Sequence, residues 1–140
     1  MKILVLLLCS LFFLENPWTN DLEKAKILAN SEHKMILLNF SGSDWCIPCI
    51  KMKKDIFENQ TFKEGLAQKL ILMNADFPRL KKNRLAKDDI IKNEALAEKY
   101  NQDGKFPFTL LLNEKGEVIK SWEATNANDF MGELKPLISK

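Results

Sequence analysis

The chain has 140 residues, 46% hydrophobic and 29% charged, a globular composition for which one domain is the default. A formal net charge of +2 is too small to argue for nucleic acid or a membrane surface as partner. No internal repeat or low-complexity segment divides it.

The N-terminus stands apart. Met1-Lys2 is followed by ILVLLLCSLFFL, 12 residues without a charge (3–14). This fits the apolar region of a secretory signal. A membrane-crossing helix needs roughly 20 such residues, so the run is short for a span. A buried core helix is the alternative, but the run is apolar on every face and begins at the third residue. No A-x-A cleavage pattern follows. Cys9 leaves acylation open, although Leu8 stands where a small residue is usual before a lipidated cysteine. Residues 1–15 are read as a signal peptide or N-terminal anchor, and the folded domain is expected over 19–140.

NPW reads as a linker. TNDLEKAKILANSEHK then reads as a helix. Asn20 and Glu23 have the spacing of a capping box, and Leu22, Ala25, Ile27, Leu28 and Ala29 mark an apolar face. MILLNF (35–40) predicts a strand buried on both sides, and SGSD breaks it. A helix is expected to begin at the cysteines of CIPCIKMKKDIFEN, with Ser43 or Asp44 as its cap. Pro48 is tolerated in its first turn, where the amides lack intrahelical partners. QTFKEGLAQK predicts a short helix and LILMNADF (70–77) another strand.

PRLKKNRLAKDD is a basic loop carrying Arg79, Lys81, Lys82, Arg84 and Lys87, either simply solvated or a contact surface for an acidic partner. IIKNEALAEKYN (90–101) predicts a helix. PFTLLLN and VIKSW, joined by EKGE with Gly116, form a hairpin. NANDFMGELKPLIS closes the chain as a helix capped by Asn126, with Asp129 in its first turn. This order of elements predicts an α/β domain, a mixed sheet with helices on both faces.

Cysteines occur at 9, 46 and 49, so the folded part holds only the pair in WCIPC, residues 45–49. Such spacing serves half of a zinc site, a structural crosslink, or a redox pair. Structural zinc wants four ligands, and the folded part offers Cys46, Cys49 and His33, so a site would have to be shared between chains. His33, in the polar NSEHKM, reads as solvated. A disulfide across two residues closes a very short loop and restrains the unfolded chain little, which makes it a weak staple.

A strand, a short break, WCIPC opening a helix, and about 60 residues later Pro107 leading an apolar hairpin together resemble the thioredoxin superfamily. FSGSDWCIPCIKMKKDIFEN and KFPFTLLLNEKGEVI look like the exported bacterial thioredoxin-like proteins. The resemblance implies a thioredoxin fold, a central mixed β-sheet flanked by helices on both faces. It places Cys46 at a helix N-terminus, where unpaired amides and the helix dipole favour a thiolate and lower its pKa below the free value of about 8.5. Cys46 is then the nucleophile, and the more buried Cys49 the resolving thiol. Trp45 forms an apolar rim, Pro107 is a cis proline facing the cysteines, and Trp45, Ile47, Pro48, Phe106 and Pro107 contact substrate.

Two departures from the pattern stand out. Asn39 occupies the place of a buried acidic residue that accepts the resolving cysteine's proton, with Asp44, Glu58 or a water as substitutes. Ile47 replaces a glycine. The implied function is an exported thiol–disulfide oxidoreductase of the periplasm or cell envelope, reducing or isomerising disulfides. It needs no cofactor and no metal, and acts as a monomer. Its partners are thiol- or disulfide-containing proteins and an electron donor at the membrane, with no nucleic acid. The competing expectation is a non-catalytic peptide-binding module with a structural disulfide.

Overall fold

In the run from Met35 to Ser41, alternate side chains meet different neighbours, and the layers follow from that. The computed structural model describes residues 16–139. The apolar run with Cys9 lies outside the described residues. Five strands form one sheet in the order β1-β3-β2-β4-β5, with β2 (Met35–Ser41) at its centre. β1 (Trp18–Thr19) and β3 (Leu70–Asp76) run parallel to β2. β4 (Phe108–Leu112) runs antiparallel to it and forms the hairpin with β5 (Val118–Trp122). This is the thioredoxin fold with its mixed sheet.

Ile36, Leu38 and Phe40 face a core with Ala25, Ala29 and Leu96 from α1 (Leu22–Glu32) and α4 (Lys87–Tyr100). Leu37 faces the other core. There it meets Met52 of α2 (Ile47–Met52), Ile56 and Phe57 of the π-helical turn Lys53–Phe57, Phe62 of α3 (Gln60–Glu64), and Phe130 and Leu134 of α5 (Ala127–Ile138). A strand covered on both faces has no polar side, which is why 35–40 and 70–76 are nearly unbroken apolar runs. The helix expected over 60–69 divides into α3 and a 3-10 turn, Leu66–Lys69.

Four local expectations change. NPW is no linker, because Trp18 and Thr19 pair with Leu72 and Met73. That pairing holds Asn20 beside α4, where its side-chain amide donates to Asp89 and Asn93, 3.0 Å each. The cap of α1 is therefore Asp21, which accepts from the Lys24 N–H at 3.0 Å, and the Asn20–Glu23 box does not form. Ile27 is 69% exposed, since α1 closes on the sheet through the small Ala25 and Ala29. α4 also begins at Lys87, earlier than its apolar pattern suggests.

The far end of the sheet is tied by α5. Asn126 caps this helix through the Asp129 N–H at 3.0 Å, as expected. Glu133 accepts from the Trp122 indole N–H at 2.9 Å and pairs with Lys120 at 3.0 Å. The Lys120 bond, then the Trp122 bond, hold its carboxyl below the usual range. Phe130 is fully buried and meets the rings of Phe57, Phe62 and Trp122 edge-on or tilted. Phe130→Ala is expected to lower the unfolding free energy by about 3–5 kcal/mol, as aromatic-to-alanine core truncations do, read from the urea unfolding midpoint.

Candidate redox-active site

Parallel pairing of β2 with β3 and antiparallel pairing with β4 brings the carboxyl ends of β2 and β3 and the amino end of β4 to one edge. Ser41 lies opposite Asp76, and Phe40 opposite Phe108. The segments 42–46, 77–86 and 101–107 therefore converge there. In open sheets built this way, the strand carboxyl ends are where chemistry collects.

The chain leaving β2 turns at Gly42, whose carbonyl accepts from the Trp45 and Cys46 N–H groups at 3.3 and 2.9 Å. Cys46 is extended and is itself the N-cap of α2, with its sulfur accepting from the Cys49 N–H at 3.3 Å. Cys46 and Cys49 are joined as a disulfide with Cα atoms 5.2 Å apart, and are 5% and 3% exposed. Neither expected cap is used. Ser43 donates its N–H and hydroxyl to Asp76 at 2.9 and 2.6 Å. Asp44 accepts from the Arg79 and Leu80 N–H groups at 2.9 Å each and from the Asn83 amide at 3.0 Å. These bonds, the Arg79 amide first, hold the Asp44 carboxyl below its usual range.

Trp45 does more than form a rim. Its indole N–H donates to the Phe77 carbonyl at 2.7 Å, and its ring meets Phe106 edge-on at 5.4 Å. The Arg79 guanidinium carbon lies 3.7 Å from the ring centroid. A Cβ at Gly42 would overlap the indole, so the residue there must be glycine. Phe77 and Phe106 also meet, at 5.5 Å. The Phe106–Pro107 bond is cis, and Pro107 is buried. Ile47 and Pro48 are exposed beside the cysteines, Ile47 at 75%. His33 is exposed at the end of α1 with φ 54°.

Asn39 is 6% exposed on the α2 side of the sheet. Its amide N–H donates to Asn74 at 3.0 Å and its carbonyl accepts from the Thr109 hydroxyl at 2.9 Å. Three strands are thus bridged by a polar row that holds no acid. Glu58 is exposed and pairs with Lys53 at 3.7 Å, and Asp44 is occupied by the 79–83 segment. Both carboxylates considered as substitutes are therefore engaged elsewhere. A groove of about 990 Å³ runs past Asn39, Ser41, Asn74 and Asp76, but neither cysteine lines it.

Three positioning residues escaped the sequence reading. Asp76 receives Ser43, as above. Asn93, 2% exposed, donates to the Asp76 carbonyl at 2.9 Å. Asn101 brackets the approach to Pro107, donating to the Lys105 carbonyl at 2.8 Å and accepting from its N–H at 2.9 Å. Asn93 left a signal: it falls on the stripe continued by Leu96, Ala97 and Tyr100, where an amide needs a partner.

A thioredoxin-like family model matches residues 17–113, and the chain belongs to that family. Among curated proteins, 89 residues are 35% identical to a disulfide bond reductase, DsbH of Chlamydia pneumoniae, covering 64% of this chain and 52% of that protein. A thioredoxin-related protein of the same organism, DsbJ, is 27% identical over 103 residues, 74% of this chain and 29% of its own length. The chain thus spans about half, or less, of the curated relatives it matches. A solved DsbH oxidoreductase structure superimposes with a TM-score of 0.75 at 27% identity, covering 87% of this chain and 83% of that one.

Asp44→Ala should release the 79–83 segment, with faster hydrogen exchange at the Arg79 and Leu80 amides and none of the change at Trp122. Because folding depresses the Asp44 pKa, the tether contributes above the ordinary aspartate range and is lost as pH falls through the lower folded value. The Arg79 and Leu80 amide proton shifts should move together only below that ordinary range, and stay flat in the variant.

Proposed function

We propose that the protein is an exported thiol–disulfide oxidoreductase working in the reducing or isomerising direction on thiol- and disulfide-containing proteins of the periplasm or envelope. The observation that carries this reading is the Cys46 sulfur at the N-cap of α2, accepting the Cys49 amide and bonded to the Cys49 sulfur. The name of the DsbH relative, a disulfide bond reductase, supports the same chemistry.

In the reduced protein the amide that reaches the Cys46 sulfur favours its thiolate, together with the positive end of the helix dipole. That thiolate attacks one sulfur of a substrate disulfide. The substrate bond breaks, one substrate sulfur leaves as a thiolate and takes up a proton, and a mixed disulfide through Cys46 forms. Cys49, deprotonated, attacks the Cys46 sulfur. The mixed disulfide breaks, the second substrate sulfur leaves, and the Cys46–Cys49 bond is restored. Two electrons have passed from the protein dithiol to the substrate disulfide. A dithiol donor resets the pair by the reverse steps, and an electron supply at the membrane is the proposed source. In isomerisation a substrate thiol, rather than Cys49, resolves the mixed disulfide.

Trp45, Ile47, Pro48, Phe106 and Pro107 are the proposed substrate surface. Ile47 and Pro48 are open to solvent at the cysteines, and Trp45 and Phe106 are in ring contact beside them. The sulfurs carry the electrons, so the scheme needs no cofactor.

Cys49→Ser is expected to accumulate mixed disulfides with its partners, and Cys46→Ser to fall to the uncatalysed background in reduction of a disulfide peptide. A thiolate absorbance titration of the reduced protein should show Cys46 ionising below the about 8.5 of a free thiol. Equilibration with glutathione should place the couple nearer the about −270 mV of thioredoxin than the about −120 mV of a strong oxidant. A pair that does not exchange with glutathione would instead mark a peptide-binding module with a structural disulfide.

A further inference from the structure

The segment leaving β3 carries Arg79, Lys81, Lys82, Arg84 and Lys87 without an acid among them, while the whole chain is only +2. The rest of the protein is therefore net negative, and the positive charge is gathered at one place. All five side chains are exposed. Seven ion pairs form among the described residues, through Lys26, Lys34, Lys51, Lys53, Lys92, Lys105 and Lys120, and none engages these five. Acids stand near the group, but none forms an ion pair with these five cations: Asp44 accepts from the Arg79 and Leu80 amides and Asn83, Asp89 from the Asn20 amide, and Asp88 lies in the first turn of α4.

The segment is pinned against the redox corner. Asp44, two residues before Cys46, holds its backbone. Arg79 stacks on Trp45, the residue before Cys46. A short 3-10 turn, Lys81–Asn83, orders the cations, with Asn83 and Arg84 N–H groups donating to Leu80 and Lys81 carbonyls at 2.9 and 3.3 Å. Leu80, 48% exposed, adds apolar surface beside them. Cations without an ion-pair partner, carried on a backbone held at the mouth of a site, form a surface for an external anion.

We propose that this basic segment docks an acidic stretch of the polypeptide whose cysteines exchange with Cys46; the inference rests on the oxidoreductase reading above. A polypeptide is the fitting occupant because the segment touches Trp45, so whatever chain lays a disulfide against Cys46 passes within a side chain's reach of Arg79. Carboxylates flanking the reacting cysteine then meet the cations. They steer the encounter and set its orientation, while the sulfurs do the chemistry.

The test uses two synthetic peptides with the same central disulfide, one flanked by glutamates and one by lysines. Their reduction is followed with dithiothreitol as donor, and their binding to the Cys46→Ser/Cys49→Ser double variant by fluorescence anisotropy. At low salt the glutamate peptide should lead by about tenfold in kcat/KM, within the range of electrostatic steering, and in affinity. The lead should shrink as salt shortens the Debye length to about 8 Å and below. Lys81→Glu/Lys82→Glu/Arg84→Glu should invert it, with circular dichroism confirming the fold. Lys82→Glu alone should reduce it, which keeps the test open should the triple variant not fold.

Equal binding and turnover of the two peptides, or a preference that survives the reversal, would overturn the proposal. Salt-dependent binding of phosphatidylglycerol vesicles without binding of the glutamate peptide would overturn it in favour of a membrane surface. If neither peptide is reduced but the double variant still selects the glutamate peptide, the docking surface stands and the oxidoreductase reading falls.

Discussion

Three segments far apart in sequence are held together by the indole of Trp45. The ring lies against the bare backbone of Gly42, donates its N–H to the carbonyl of Phe77, meets Phe106 edge-on, and carries the Arg79 guanidinium on its face. No other kind of side chain offers all four at once. The flat apolar body packs, the single polar edge satisfies a backbone carbonyl, and the π-face attracts a cation. The strands deliver the three loops to one edge of the sheet. Trp45 then makes the ends of β2 and β3 and the turn into β4 a single surface, with the Cys46 sulfur adjoining it. Asp44 and Asp76 extend the same work in polar terms, each accepting from the loop across the gap.

The frame of the fold was legible because burial on both faces leaves an apolar run that a turn must end. Residues 35–40 and 70–76 read that way, and so did the hairpin around Gly116, which takes φ +82°. The cap Asn126 was legible because nothing distant competes for it. The expected caps that failed did so for a common reason: a distant partner displaced a local one. Asn20 was the expected cap, but the pairing of β1 with β3 holds it against α4, and Asp21 caps α1 instead. Ser43 and Asp44 looked like caps for α2, yet the chain more than 30 residues on takes both. β1 itself is two residues long, too short for any alternation to show.

The site divides along the same line. The cysteines and their helix are local, and WCIPC announced them. The cis bond before Pro107 was expected only through resemblance, since a proline at a strand edge is ordinarily trans. The use of the Cys46 sulfur as the cap of its own helix has no sequence signature at all. It follows from where α2 begins: with Ile47 as the first helical residue, Cys46 is the cap, and its sulfur lies in reach of the N–H three residues on.

Asn39 gives this arrangement its remaining character. A carboxylate in that place would be taken out of water between two strands, at a cost that only a paired or protonated state relieves. The amide avoids that cost. One end donates to Asn74, the other accepts from Thr109, and no buried side-chain polar atom among the described residues is left without a partner. The row holds the same charge at every pH, so it tightens the centre of the sheet without titrating. In the proposed reaction Cys49 must still lose a proton, and the row at Asn39 offers no carboxylate to take it. The reaction supplies its own base: the substrate thiolate released in the first step is formed beside the mixed disulfide that Cys49 attacks next. Where other designs would place a buried acid, this one leaves the proton between sulfurs. Beside the cysteines the 79–87 segment adds cations, with the Arg79 guanidinium carbon 3.7 Å from the centroid of the Trp45 ring.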